Sequence, residues 1–422
     1  MHFSNSKFIL PTGGILNKKT IPGIEVLIKN FSVTGKGEKI ALLTNHTGID
    51  SNLNSTVDLL KEKIKLTALL SPEHGIRGNF QAGENVPDHT DERFNLPCYS
   101  LYDQTATGNE LKGSGIDKKM RTFDTSGSGK YIRKDVLENF NKIIIDIQDI
   151  GTRIYTYIST MAYLMESCKN TGIEIFVADR PNPITGGSLE GPVLEFPEFS
   201  SFVGAFSIPV RHGMTMGELA ILFNNHMFDN KVNLTVIPME NWGRDMWFED
   251  TELPWINPSP NMPTVQTANL YPGMVFFEGT NISEGRGTTQ PFELIGAPWI
   301  KGFDLSTSLN KLNLEGISFK ETFFKPWFSK FSGEMCSGLR IVVTDRNKFE
   351  PYRTMLYIMK EILEHYPDKF MFHSDYFDKI TGNSWIRKMI TMGKDPLEII
   401  KNYTEDLNEF VREREEFLLY RS

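Results

Sequence analysis

Lys39-Ile-Ala-Leu-Leu43 opens directly onto Thr44-Asn45-His46-Thr47-Gly48, and this pattern of an apolar run ending in a polar loop returns three times. Leu66-Thr-Ala-Leu-Leu70 meets Ser71-Pro72-Glu73-His74-Gly75. Lys142-Ile-Ile-Ile-Asp146 meets Gln148-Asp149-Ile150-Gly151-Thr152-Arg153. Ile173-Glu-Ile-Phe-Val177 meets Asp179-Arg180-Pro181-Asn182-Pro183. Near-continuous apolar runs suit strands covered on both faces, as in a parallel sheet. In open α/β sheets ligands bind beyond the carboxyl ends of the strands. That edge would collect His, Glu, Asp, Asn and Arg, a combination that points to an enzyme site.

The segments between these runs read as helices. Residues 21–30 place Ile24, Leu27 and Ile28 on one face, and Asn54 to Ile64 does the same with Val57, Leu60 and Ile64. A further helix is expected from Tyr155 to Lys169. Thr215-x-x-Glu218 ahead of Leu219-Ala-Ile-Leu-Phe223 is a capping box, and Leu234-Thr-Val-Ile-Pro238 is another strand. The alternation predicts a doubly wound α/β domain over residues 21–250, preceded by an irregular arm over 1–20. Residues 103–135, rich in Gly, Ser, Thr, Lys and Asp, interrupt it as a surface insertion. After residue 250 prolines cluster and the rhythm stops. Residues 251–422 are read as a smaller α+β domain, with a strand over Leu339–Thr344 and helices over Tyr352–His365 and Pro396–Tyr420.

A chain of 422 residues favours two domains over one core. The net charge of −8 argues against general nucleic-acid binding but leaves room for a local basic pocket. Cys98, Cys168 and Cys336 are scattered, with no C-x-x-C, so neither a structural zinc site nor a disulfide framework is supported. Cys168 falls at an apolar helical position. No run reaches the ~18 apolar residues of a membrane span. Met1 to Pro11 holds no apolar core of signal-peptide length, which leaves open a cytoplasmic protein and an exported one whose signal has been removed. P-loop, dinucleotide, nucleophile-elbow and zincin motifs are missing: Gly35-Lys-Gly37 lacks its third glycine.

Taken together, seven blocks resemble one family. They are Leu43-Thr-Asn-His-Thr-Gly48, Ser71-Pro-Glu-His-Gly-Ile-Arg-Gly78, Asp146-Ile-Gln-Asp-Ile-Gly-Thr-Arg-Ile-Tyr-Thr-Tyr157, Asp179-Arg-Pro-Asn-Pro183, Arg211-His-Gly-Met-Thr215, Asn257-Pro-Ser-Pro-Asn-Met-Pro263 and Glu278-Gly-Thr-Asn-Ile-Ser-Glu-Gly-Arg-Gly-Thr288. The chain is similar to exo-β-N-acetylmuramidases of the NamZ type from about residue 24 to 420. The resemblance implies a Rossmann-like N-terminal domain and a smaller C-terminal domain, with the site in the cleft between them. It implies removal of terminal N-acetylmuramic acid (MurNAc) from the non-reducing ends of peptidoglycan fragments, MurNAc-GlcNAc oligosaccharides or muropeptides; nothing in the sequence demands a cofactor or a metal. A wall-degrading role, which implies a periplasmic or extracellular site, is expected only if an export signal has been removed. The rival reading is a non-catalytic muropeptide-binding protein using the same cleft.

Glycoside hydrolysis needs a group that protonates the departing oxygen. The resemblance puts Glu73 in that role, in a sharp turn just past a strand, with His74 beside it. The second group stays open among Asp149, Glu278 and Glu284. Asp149 has a competing role as cap of the helix near Tyr155, and a 2-acetamido sugar also permits attack by its own acetamide oxygen. The lactyl carboxylate of MurNAc calls for a cation, and Arg153, Arg180, Arg211 and Arg286 all lie in matched blocks. Asn45, Asn182, Asn261 and Asn281 can bind sugar hydroxyls or hold their own turns. His46 and Asp179 complete the expected substrate-binding set. Of Tyr155 and Tyr157, one is expected to face the sugar and one the core. Gly279, Gly285 and Gly287 would let the backbone approach a ligand or take positive φ.

Overall fold

A computed structural model describes residues 18–30, 38–101, 134–227 and 231–421. Most of the expected arm, the insertion up to residue 133 and Gly35-Lys-Gly37 lie outside the described residues. The first half runs α1 (Gly23–Lys29), β1 (Ile40–Thr44), α2 (Thr56–Lys61), β2 (Leu66–Ser71), β3 (His89–Asp91), β4 (Leu96–Ser100), α3 (Lys134–Leu137), β5 (Lys142–Asp146), α4 (Tyr157–Ser167) and β6 (Glu174–Ala178). It continues through β7 (Glu190–Val193), β8 (Pro209–Arg211), α5 (Met216–Leu222) and β9 (Asn233–Ile237). The second half holds α6 (Val265–Met274), β10 (Leu294–Ala297), α7 (Gly302–Lys311), β11 (Ile317–Phe324), β12 (Cys336–Val343), α8 (Pro351–His365), α9 (Ser374–Thr381), α10 (Trp385–Thr391) and α11 (Pro396–Arg414).

Seven strands form one sheet in the order β3-β4-β2-β1-β5-β6-β9, parallel throughout except for the β3–β4 edge pair. The reason lies in the central runs. Ile143 and Ile145 of β5 enter one apolar cluster with Ala41 and Leu43 of β1, while Ile144 enters a second with Ile40 and Leu42. Successive side chains of a strand point to opposite faces, so an all-apolar run requires cover on both. Each fully buried Ile or Leu contributes ~1.5–3 kcal/mol relative to exposure. The short β3 and β4, with no long apolar run, carried no strand signal in the sequence.

The second half builds a three-stranded antiparallel sheet, β10-β12-β11, with α7 packed on it and α8 packed against α7. β11 was not visible in the sequence because Lys320, Glu321 and Thr322 break its apolar pattern. The helix expected to run to Tyr420 stops at Arg414 and passes through a single 3-10 turn, Glu415–Phe417. The Thr215–Glu218 capping box forms in full, and Glu218 also pairs with Arg244. Cys98, Cys168 and Cys336 are all free and buried. No helix among the described residues is long and apolar enough to cross a membrane.

Candidate active site

β2 ends at Ser71, and the chain turns back through His74 (φ 72°) and Gly75 (φ 75°). A positive φ at a histidine is strained backbone of the kind found at functional sites. Glu73, just before this turn, is 6% exposed. Its Oε1 accepts the Gly83 N–H at 3.0 Å, and its Oε2 accepts the Thr156 hydroxyl at 2.6 Å. Thr156 is the N-cap residue of α4, yet its side chain makes no capping bond; the hydroxyl goes to Glu73 instead. His74 Nδ1 lies 2.8 Å from the Phe80 carbonyl, which can only accept, so Nδ1 carries the proton. Burial pushes the pKa of His74 down, against the pull of the Glu73 carboxylate, so the ring is neutral near pH 7 and Nε2 is its acceptor.

Residues from the second half complete the walls. Glu278 Oε1 accepts from Arg286 Nε at 3.0 Å and Nη2 at 2.6 Å, and its Oε2 accepts the Tyr376 hydroxyl at 2.9 Å. The Glu278 carboxylate, with burial, raises the pKa of Tyr376, which keeps its proton. Burial alone would lower that of Arg286, but Glu278 and Glu284 outweigh it and the guanidinium stays charged. Glu284 Oε2 accepts from Lys330 Nζ at 3.0 Å. Glu73, Thr156, Glu278, Glu284, Arg286 and Tyr376 line one open cavity of about 690 Å³, within the ordinary range of small-ligand sites. A recess of about 80 Å³ adds His74, Tyr155 and Asn261, and shares Glu73, Glu278, Arg286 and Tyr376 with the larger space.

The structure therefore gathers Glu73, His74, Tyr155, Asn261, Glu278, Glu284 and Arg286, and sends the other expected site residues elsewhere. Three of the four arginines are structural. Arg153 donates to the carbonyls of Pro192, Ile208, Ile380 and Thr381. Arg180 grips Asp146 with two nitrogens, at 2.6 and 2.9 Å, and donates to the Ile49 carbonyl. Arg211 pairs with Glu190 and donates to the Ile184 carbonyl. The direction of the sheet order reverses at β1 and β5, where a doubly wound fold places its ligand. Here Asp146, Arg180 and Thr56 fill that crevice with their own contacts, and the cavity opens beside β2 instead.

Asn45 accepts from Thr47 and donates to the Tyr157 hydroxyl, which in turn donates to the Pro258 carbonyl; Tyr157 is the core tyrosine. His46 Nε2 donates to the Asn257 carbonyl at 2.6 Å. Asn182 closes its own turn onto Ile184 and bonds Met214, and Asn281 ties Lys369 to Met371. Asp179 accepts from Thr215, Gly217 and the Tyr420 hydroxyl, with burial pushing its pKa up to about 6. Asp149 is not among the lining residues. It does not cap α4 either: its Oδ2 accepts the Gly151 N–H at 2.6 Å. Gly287 serves chain packing rather than a ligand, since a Cβ there would lie 2.4 Å from the Phe328 carbonyl oxygen, and the Trp327 N–H bonds its own carbonyl.

Sequence reasoning missed Thr156, Tyr376, Lys330 and Lys379. Thr156 stands inside a matched block, between the two tyrosines singled out. The other three lie in segments without a motif. Among the described residues no group of three or more His, Cys, Asp or Glu side chains could hold a metal ion. Removing the Thr156 hydroxyl tests the first of these contacts. Thr156→Val is expected to lower kcat about tenfold through a less firmly held Glu73, at the upper end of a typical hydrogen bond, with unchanged circular dichroism. An unchanged kcat would show that Glu73 does not need this hydroxyl.

Two family models match nearly end to end: the N-terminal part of exo-β-N-acetylmuramidase NamZ over residues 40–266, and its C-terminal part over 269–420. The chain belongs to the NamZ family. The peptidoglycan β-N-acetylmuramidase NamZ of Bacillus subtilis strain 168 is 47% identical over 405 residues, 95% of this chain and 92% of that protein. Two crystal structures of DUF1343-family proteins from Bacteroides fragilis NCTC 9343 share the NamZ fold seen here. One, at 33% identity, superposes with a TM-score of 0.83 over 96% of this chain and 99% of that one. The other, at 29% identity, gives 0.71 over 96% and 100%. The cavity draws Glu73 and Thr156 from the first NamZ segment and Glu278, Glu284, Arg286 and Tyr376 from the second.

Proposed function

We propose that this protein is an exo-acting glycoside hydrolase that removes terminal β-1,4-linked MurNAc from the non-reducing ends of peptidoglycan fragments. The observation that carries the reading is Glu73: a buried carboxyl group held by one N–H and one hydroxyl on the wall of a small-ligand cavity, in a chain matched to the NamZ family along almost its whole length.

Glu73 is the general acid. Cleavage moves its proton to the glycosidic oxygen as the bond to the anomeric carbon breaks, and the departing GlcNAc leaves as a neutral alcohol; water then supplies the hydroxyl that ends on the anomeric carbon, and its other proton restores the carboxyl group. Neutral His74, with Nε2 free to accept, orients a sugar hydroxyl or Glu73 itself. Glu278 is the second carboxylate. Arg286 and the Tyr376 hydroxyl hold it in one orientation, as a group that must meet positive charge developing on the sugar requires. Tyr155 and Asn261 in the recess hold the terminal sugar.

Incubation of the purified protein with MurNAc-GlcNAc oligosaccharides tests the reading. From chains longer than a disaccharide, free MurNAc is expected as the first new monosaccharide, with the 4-nitrophenyl β-glycoside of MurNAc hydrolysed and that of GlcNAc left intact. Tight binding of these oligosaccharides with no turnover of either substrate would replace the enzyme with a binding protein.

A further inference from the structure

The lactyl carboxylate is what distinguishes MurNAc from GlcNAc, so its reader must be a cation whose charge is not already neutralised. This inference rests on the muramidase reading above. Three cations line the cavity: Arg286, Lys330 and Lys379. Arg286 has given Nε and Nη2 to Glu278, and Glu284 stands 3.6 Å from Nε. One cation between two carboxylates presents no net attraction to a third. Lys330 has three N–H donors, and all three are taken, by the Phe277 and Ile282 carbonyls and by Glu284. Lys379 differs. Its ammonium is exposed, and it has no hydrogen bond or ion pair among the described residues.

We propose that Lys379 binds the lactyl carboxylate and sets the preference for MurNAc over GlcNAc. Its position supports this. Lys379 lies on α9 three residues after Tyr376, a spacing that puts both side chains on one face of the helix. Tyr376 reaches into the cavity to Glu278, so the lysine follows one turn further along the same wall. An ammonium on a flexible stem needs no fixed fork geometry. It can follow a carboxylate that swings on the ether bond to C3 of the sugar. The three arginines of the matched blocks that fail to reach the cavity are thereby replaced by a lysine outside every motif.

The test compares wild type, Lys379→Met and Lys379→Arg on the 4-nitrophenyl β-glycoside of MurNAc, with free MurNAc and its carboxylate methyl ester as competing inhibitors. Wild type is expected to bind the acid at least tenfold more tightly than the ester. Lys379→Met should lose that difference and raise KM at least tenfold, with a smaller change in kcat, the signature of lost binding rather than lost chemistry. Lys379→Arg should keep most of both. Salt should weaken the acid against wild type more than against Lys379→Met. Full acid-over-ester discrimination by Lys379→Met would overturn the proposal and leave the muramidase reading standing. A wild type that neither hydrolyses the glycoside nor binds MurNAc would overturn both.

Discussion

Replacing Glu73 with Gln is expected to slow release of MurNAc from a MurNAc-GlcNAc disaccharide by about 10³-fold in kcat, in the middle of the range for loss of one general acid, without unfolding the protein. The fold should survive because the amide reproduces both contacts. Its oxygen accepts the Gly83 N–H, and its NH₂ donates to the Thr156 hydroxyl, which can accept as well as donate. What the amide cannot do is give up a proton. The size of the loss should therefore depend on the leaving group. A sugar alcohol leaves poorly without protonation, whereas 4-nitrophenolate leaves unaided. The variant should lose far less on the 4-nitrophenyl glycoside than on the disaccharide. Equal losses on both would move Glu73 from acid to nucleophile or positioning group. No loss on either would remove it from the chemistry and return attention to Glu278 and Glu284.

The parallel sheet was legible because β1, β2, β5 and β6 must be apolar on both faces. Ile143 and Ile144 feed clusters on opposite sides, as a strand covered on both faces requires. The candidate acid was legible through its block, since the turn after β2 is written in Pro72 and Gly75. The cations were not. Arg153, Arg180 and Arg211 share the matched blocks with Arg286, and sequence alone cannot say whether a guanidinium meets a ligand or a carbonyl. Burial decides it. Arg153 is 1% exposed and Arg211 2%, so each must find internal partners or bear an uncompensated charge, and four carbonyls answer for Arg153 alone. Arg286 had the same demand and met it with Glu278 inside the cavity. Tyr376 and Lys379 were invisible for a different reason. They reach the site only because α9 packs against the segment that carries Glu278, a contact made about 100 residues along the chain.

The opposed pKa shifts of Asp149 and His212 should show in the pH dependence of stability only when one of the two groups is removed. His212 Nε2 lies 3.9 Å from Asp149 Oδ2, and both groups are buried. Burial pushes Asp149 up to about 7, against the opposing backbone N–H groups of Gly151 and Ile150. Burial, helped by Arg414 and Arg153, pushes His212 down to about 3. In the unfolded chain an Asp loses its proton near pH 4 and a His near 6.5. Between those values the unfolded pair holds one proton, on the histidine. The folded pair also holds one, on the carboxyl group. With equal proton counts the pair adds no slope to stability.

Each single variant unmasks one slope. In Asp149→Asn the folded His212 stays neutral while the unfolded one binds a proton below pH 6.5, so stability rises with pH from about 4 to 6.5. In His212→Asn the folded Asp149 keeps a proton that the unfolded chain releases, so stability falls as pH rises from about 4 to 7. One proton corresponds to about 1.4 kcal/mol per pH unit, so the two variants should diverge by about 4 kcal/mol between pH 4.5 and 6. Both substitutions keep an acceptor for the local N–H, Gly151 in one case and Met214 in the other. Urea midpoints measured against wild type at half-unit pH steps decide the matter. Curves that tilt in opposite directions would establish that both groups titrate far from their ordinary ranges; curves that stay parallel to wild type would show that neither does.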